Sequence, residues 1–145
     1  MRGFSIIELL VVISIFALIV GFAVVGFQNY ARYQEFEYSA TETAALIEQA
    51  RVDSRSAIGN VSHGVFIQPS SITVFAGNVY DSMDVTNQIT TFNNVRFEHS
   101  LSDAGDVVIF SQLKGLPSAT GTISIIDDSL PATTTLSVTL SGIVQ

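Results

Sequence analysis

Apolar and polar positions divide the chain into three stretches with different periods. From Phe4 to Phe27 almost every position is apolar, interrupted only by Ser5, Glu8, Ser14, Gly21 and Gly26. As a helix, a run of this length rises roughly 36 Å at about 1.5 Å per residue. That exceeds a bilayer hydrocarbon core of about 30 Å, so the run predicts a membrane-spanning helix. From Gln28 to about Ser56 the chain is polar and contains neither Pro nor Gly. Phe36, Ala40, Thr43, Ile47 and Ala50 recur there at spacings of three and four, which is one face of a continuing helix. Glu48 and Arg51 (i, i+3) and Arg51 and Arg55 (i, i+4) put charge on the opposite side. Gly59, assisted by Asn60, predicts the stop.

Beyond residue 57 the period shortens to that of strands. The runs 64–68 and 72–76 flank Pro69-Ser70-Ser71 and read as a hairpin. The runs 88–92 and 95–98 flank Asn93-Asn94, which reads as a tight turn between neighbouring strands. Strands are also expected at 107–110, 122–126, 135–140 and 143–144. Together they predict one antiparallel β-unit laid against the striped half of the helix, an α+β chain.

Composition sharpens this picture. The chain has no cysteine, which removes disulfides, thiolate metal sites and thiol nucleophiles. Its net charge is -7. From Ala57 onward only Arg96 and Lys114 are basic, against Asp81, Asp84, Glu98, Asp103, Asp106, Asp127 and Asp128, a balance of -5. Such a head repels a polyanion, so no nucleic acid is expected as a partner. Tyr30, Tyr33, Phe36 and Tyr38 suit helix packing and anchoring at a membrane interface better than ligand stacking.

Glu8 is the residue that a plain anchor does not explain. A carboxylate at the centre of a membrane helix costs about 2.5–3.5 kcal/mol and normally has a partner or a task. A secretory signal would have a shorter apolar run closed by small residues; here a polar helix continues out of the span, so the segment is expected to be kept. The stretch Gly3-Phe4-Ser5-Ile6-Ile7-Glu8-Leu9-Leu10-Val11-Val12 resembles the cleavage and methylation site of type IV prepilins and type II secretion pseudopilins. The resemblance implies cleavage between Gly3 and Phe4 by a membrane prepilin peptidase, N-methylation of Phe4, and assembly into a helical filament. It implies that Glu8 meets the Phe4 α-amine of a neighbouring subunit, compensating two charges in lipid and setting register. The leader would be residues 1–3, with Arg2 as its one charge.

A second resemblance lies in the C-terminal half. Val107-Val108-Ile109-Phe110, Gly115-Leu116-Pro117, Gly121-Thr122-Ile123-Ser124-Ile125 and Leu136 through Val144 are similar to H-type minor pseudopilins and T-type minor pilins. Where that family often has a basic residue after the last Gly, this chain has Ile143.

Other chemistry is thinly represented. His63 and His99 lack metal-ligand spacing and are expected at a surface, in a loop or at a strand edge. Ser70 and Ser71 have no nucleophile-elbow context, and no Gly-rich phosphate loop occurs. Asp81-Ser82-Met83-Asp84 and Asp103-Ala104-Gly105-Asp106 invite comparison with calcium loops, but two aspartates in a turn are ordinary turn chemistry.

The expectation is therefore a pilin-like chain: leader 1–3, transmembrane helix 4–27, amphipathic helix 28–56 and β-rich head 57–145. It catalyses nothing, holds no metal or cofactor, and serves as a structural, minor pilin or pseudopilin subunit of a type II secretion pseudopilus or type IV pilus. Its partners would be other pilin subunits, the peptidase and methyltransferase, an inner-membrane assembly platform and lipid. The head would lie on the extracytoplasmic side of the cytoplasmic membrane. The alternative is a filament-tip module that binds a surface ligand.

Overall fold

The computed structural model describes residues 5–144. A single α-helix, α1, runs Ile6–Arg55. Chain contacts separate a unit that ends at Glu35 from one that begins at Phe36. In the first, the apolar side chains from Ile6 to Val24 and that of Phe27 are exposed, and none of the most apolar window of the helix is buried. The hydroxyl of Ser14, a polar group among them, donates to the Leu10 carbonyl at 2.8 Å, so its donor is satisfied within the helix.

In the second unit the expected stripe is buried throughout. Phe36, Ala40, Thr43, Ile47 and Ala50 are all at most 4 % exposed. Among the described residues eight strands accompany them: β1 (His63–Gln68), β2 (Ser71–Ala76), β3 (Gln88–Thr91), β4 (Arg96–Leu101), β5 (Val107–Phe110), β6 (Gly121–Asp127), β7 (Ala132–Thr139) and β8 (Gly142–Val144). They form two antiparallel sheets, ordered β3-β2-β1-β5 and β4-β6-β7-β8. Alternation along each strand sends one side-chain set inward. Val65, Ile67, Ile72, Val74, Val108 and Phe110 of the first sheet join Phe97, Leu101, Ile123, Ile125, Leu136 and Val138 of the second in one core with the stripe.

The β1–β2 hairpin is as expected, with Gln68 opposite Ser71 across Pro69-Ser70. The strands on either side of Asn93-Asn94 are not hairpin partners: β3 pairs β2 and β4 pairs β6, so the turn carries the chain from one sheet to the other. The reason is packing. Phe92 and Val95 are both buried, and the Phe92 and Phe97 rings meet edge to face at 5.1 Å. The Phe92 and Phe97 amides donate to Ser70 and Pro69 carbonyls, not to each other. The expected antiparallel β head is thus built of two sheets.

The helix stop also differs. Ala57, not Gly59, is the first residue with left-handed backbone after α1 (φ 50°), and Gly59 follows at φ 65°. Buried Ser54 determines the place. Its Oγ accepts from the His63 amide at 2.7 Å and donates to the His63 carbonyl at 3.2 Å, while its carbonyl accepts from the Leu113 amide at 2.9 Å. Arg51, expected on an open charged side, is half-buried. It donates to the Gly115 and Ser141 carbonyls as well as to Glu48.

Candidate functional site

The first turn of α1 is built by two residues. Ser5 is its N-cap and Glu8 stands three positions later. The Ser5 amide donates to Glu8 Oε2 at 3.0 Å, and the Ile7 amide lies 3.4 Å from Ser5 Oγ. This is the reciprocal arrangement of a capping box, in which an N-cap hydroxyl and a carboxylate satisfy amides that the helix leaves orphaned. The sequence signal for this cap is S-x-x-E at 5–8, a role for Ser5 beyond the expected assembly role of Glu8. A carboxylate has about four acceptor positions, so one bond to Ser5 leaves capacity for a cationic donor. Gly3 and Phe4, the expected processing residues, lie outside the described residues, and so does the leader. The surface that follows Glu8, from Leu9 to Phe27, offers aliphatic and aromatic side chains for burial in lipid or against other helices.

The head holds ordinary structural chemistry at the places singled out. His63, expected at a surface, is 8 % exposed because β1 begins under the end of α1, where Ser54 holds its backbone. His99 lies within β4 and its Nε2 is 3.0 Å from Asp106 Oδ1, tying β4 to the loop before β5. The acidic loops are turns. Asp81 Oδ1 accepts from the Met83 amide, Asp103 Oδ1 from Gly105, and Asp84 Oδ1 from both the amide and hydroxyl of Thr86. The Thr86 amide bond, reinforced by its hydroxyl, holds the Asp84 carboxyl below its ordinary pKa. Arg96 pairs with Asp128 and Glu98, and Asp128 first and Glu98 second raise its pKa. Among the described residues no group of three or more His, Asp or Glu side chains is arranged to hold a metal ion. Ser71 Oγ donates to Gln68 Oε1 across the first hairpin.

Comparison with known proteins gives one family match. Residues 1–24 match the prokaryotic N-terminal methylation motif. No curated protein and no solved structure matches the chain, so the likeness of its C-terminal half to H-type pseudopilins and T-type pilins stands on the residues alone. The motif covers the capping box, Glu8 and most of the exposed apolar run, and members that carry it are structural subunits. The N-terminal segment carries this motif, which supports its resemblance to type IV prepilins and pseudopilins.

Proposed function

We propose that this chain is a filament subunit, stored in the cytoplasmic membrane as a single-pass protein and then drawn into a helical pilus or pseudopilus. Residues 1–3 are the leader, 4–27 the span, 28–56 the amphipathic helix and 57–145 the head, which faces away from the cytoplasm. Prepilin peptidase cuts between Gly3 and Phe4, and Phe4 is then N-methylated. The new α-amine has an ordinary pKa of about 8 and is mostly positive at neutral pH. Glu8 supplies its counter-charge from a neighbouring subunit while remaining bonded to its own Ser5 amide. Apolar helices leave lipid for a bundle of like helices, where dispersion and the matched charges replace the lipid contacts. The chain is a structural subunit that catalyses no reaction.

The observation that carries this reading is the match of residues 1–24 to the methylation motif. It coincides with an apolar stretch of α1 of which, among the described residues, none is buried. The test is the mature terminus. Mass spectrometry of the chain from filaments of its native host is expected to find N-methylated Phe4 as the first residue. An intact Met1 start in assembled filaments would overturn the reading.

A further inference from the structure

Two surfaces of the second unit combine exposed apolar side chains with charges of opposite sign. The first is the loop between β2 and β3. Val79, Met83 and Val85 are 78, 86 and 97 % exposed, and Asp81 and Asp84 stand between them. The loop is held in shape. Tyr80 stacks on Phe66 at 4.2 Å and meets Phe75 edge-on, while Asn87 Nδ2 donates to the Asp81 carbonyl at 2.7 Å. The two aspartates are occupied only on their turn side. A loop so fixed loses little freedom on binding, and large exposed apolar side chains in one segment mark a contact surface.

The second surface lies where α1 ends. Val52, Arg55, Ser56 and Leu113 line a hollow of about 310 Å³. Leu113 is 71 % exposed and has left-handed backbone (φ 66°), a conformation that glycine adopts without strain. Its amide bond to the Ser54 carbonyl holds it there, so a strained position is used to turn a leucine toward solvent. Arg55 and Lys114 flank it with no ion-pair partner among the described residues, whereas Arg51 and Arg96 are paired. The stem of Arg55 lies against Gly115, whose missing side chain makes room for it.

These surfaces belong to different layers. Val65 and Ile67 face the core that holds α1, so Phe66, under Tyr80, lies on the other face of its sheet. A head with an acidic apolar knob on one layer and, on another, a basic hollow edged by Val52 and Leu113 is complementary to a second copy of itself, head to tail. Such heterologous contacts, when they do not close, generate open helices.

We propose that the β2–β3 loop of one copy docks its Val79, Met83 and Val85 side chains against the Val52–Leu113 hollow of a neighbouring copy, with Asp81 and Asp84 facing Arg55 and Lys114. This rests on the filament reading and identifies a partner for the head surface. Opposite charges steer and orient the contact, and the apolar groups supply its buried area.

The chain has no cysteine, so introduced thiols report cleanly. Two tagged full-length copies are expressed together in the native host, one with Val85→Cys and the other with Leu113→Cys. A disulfide-linked dimer carrying both tags is expected in the filament fraction. Lys114→Glu in the Leu113→Cys copy is expected to lower its yield several-fold, and Asp81→Lys in the Val85→Cys copy to restore it. Entry into filaments without a mixed dimer, or a yield indifferent to both charge changes, would overturn the docking and leave the filament reading intact. A mixed dimer without filaments would support the docking and overturn the filament reading; neither dimer nor filaments would overturn both.

Discussion

At the scale of single residues, Glu8 has two demands on one carboxylate. Its bond to the Ser5 amide closes the first turn of α1. The proposed bond to a neighbour's amine uses the remaining acceptor capacity. Replacing it with Val removes a carboxylate from an apolar run, so insertion is expected to persist or improve, because the acid itself costs about 2.5–3.5 kcal/mol at a span centre. Filament entry is expected to fall sharply. Carbonate-resistant membrane association and filament fractionation measure the two separately, and wild-type filament entry by Glu8→Val would remove its role in register. Asp84 shows the same economy in the head. Its pKa is lowered, chiefly by the Thr86 amide, so the carboxylate is the form that the fold favours. The bond is fully present above the ordinary value of 3.8 and is lost as pH falls through the lower folded value. The Thr86 amide resonance is expected to be steady at neutral pH and to move only in that acid range. A Thr86 shift that titrates above 3.8 would contradict the assigned bond.

At the scale of elements, one helix serves two environments. Up to Phe27 it is apolar all round, as a helix in lipid or in a bundle of helices must be. From Phe36 it is apolar on one stripe, and that stripe meets the inward faces of two sheets. Ile47, 1 % exposed, lies in the middle of the stripe. Ile47→Ala is expected to destabilise the head by about 2–5 kcal/mol, the usual range for deleting a buried aliphatic side chain. Chemical unfolding of residues 28–145 with and without the substitution measures it. Gly64 illustrates how strands depend on neighbours: a side chain there would meet the Phe75 ring at 2.6 Å. The absence of a side chain thus leaves room for Phe75, and with it for the aromatic seat of Tyr80.

At the scale of the molecule, the unit from Phe36 onward has its own core, drawn from the helix and both sheets. Residues 28–145 are expected to fold when the span is deleted, giving a mixed helix and strand circular dichroism spectrum with cooperative unfolding. A random-coil spectrum would show that the head needs the span. Charge acts at the same scale. From Phe36 to the end there are four basic residues against eleven acidic ones, and Arg51 and Arg96 are already paired. Arg55 and Lys114 alone cannot neutralise a run of phosphates, so the head is expected not to shift double-stranded DNA at about 0.15 M salt. A shift at low-micromolar protein that disappears in Lys114→Glu would reverse that expectation.

Properties that depend on one segment at a time were legible in the sequence. The apolar run, the Phe36–Ala50 stripe, the first hairpin and the period-two runs each carry their own pattern, because helix and strand periods are local. The methylation motif is local too, and Ser5-x-x-Glu8 spells its own cap. Properties that require distant segments to meet were decided by tertiary structure. Nothing near Asn93-Asn94 says that its flanking strands belong to different sheets; burial of Phe92, Val95 and Phe97 decides it. Ala57 takes the left-handed turn ahead of Gly59 because Ser54 is bonded to His63, nine residues away, and the same bond carries His63 indoors. Arg51 leaves the charged face because carbonyls of Gly115 and Ser141 accept from it. Local periodicity determines which face of an element seeks cover, whereas the identity of the cover depends on loop closures and hydrogen bonds that no window of the sequence contains.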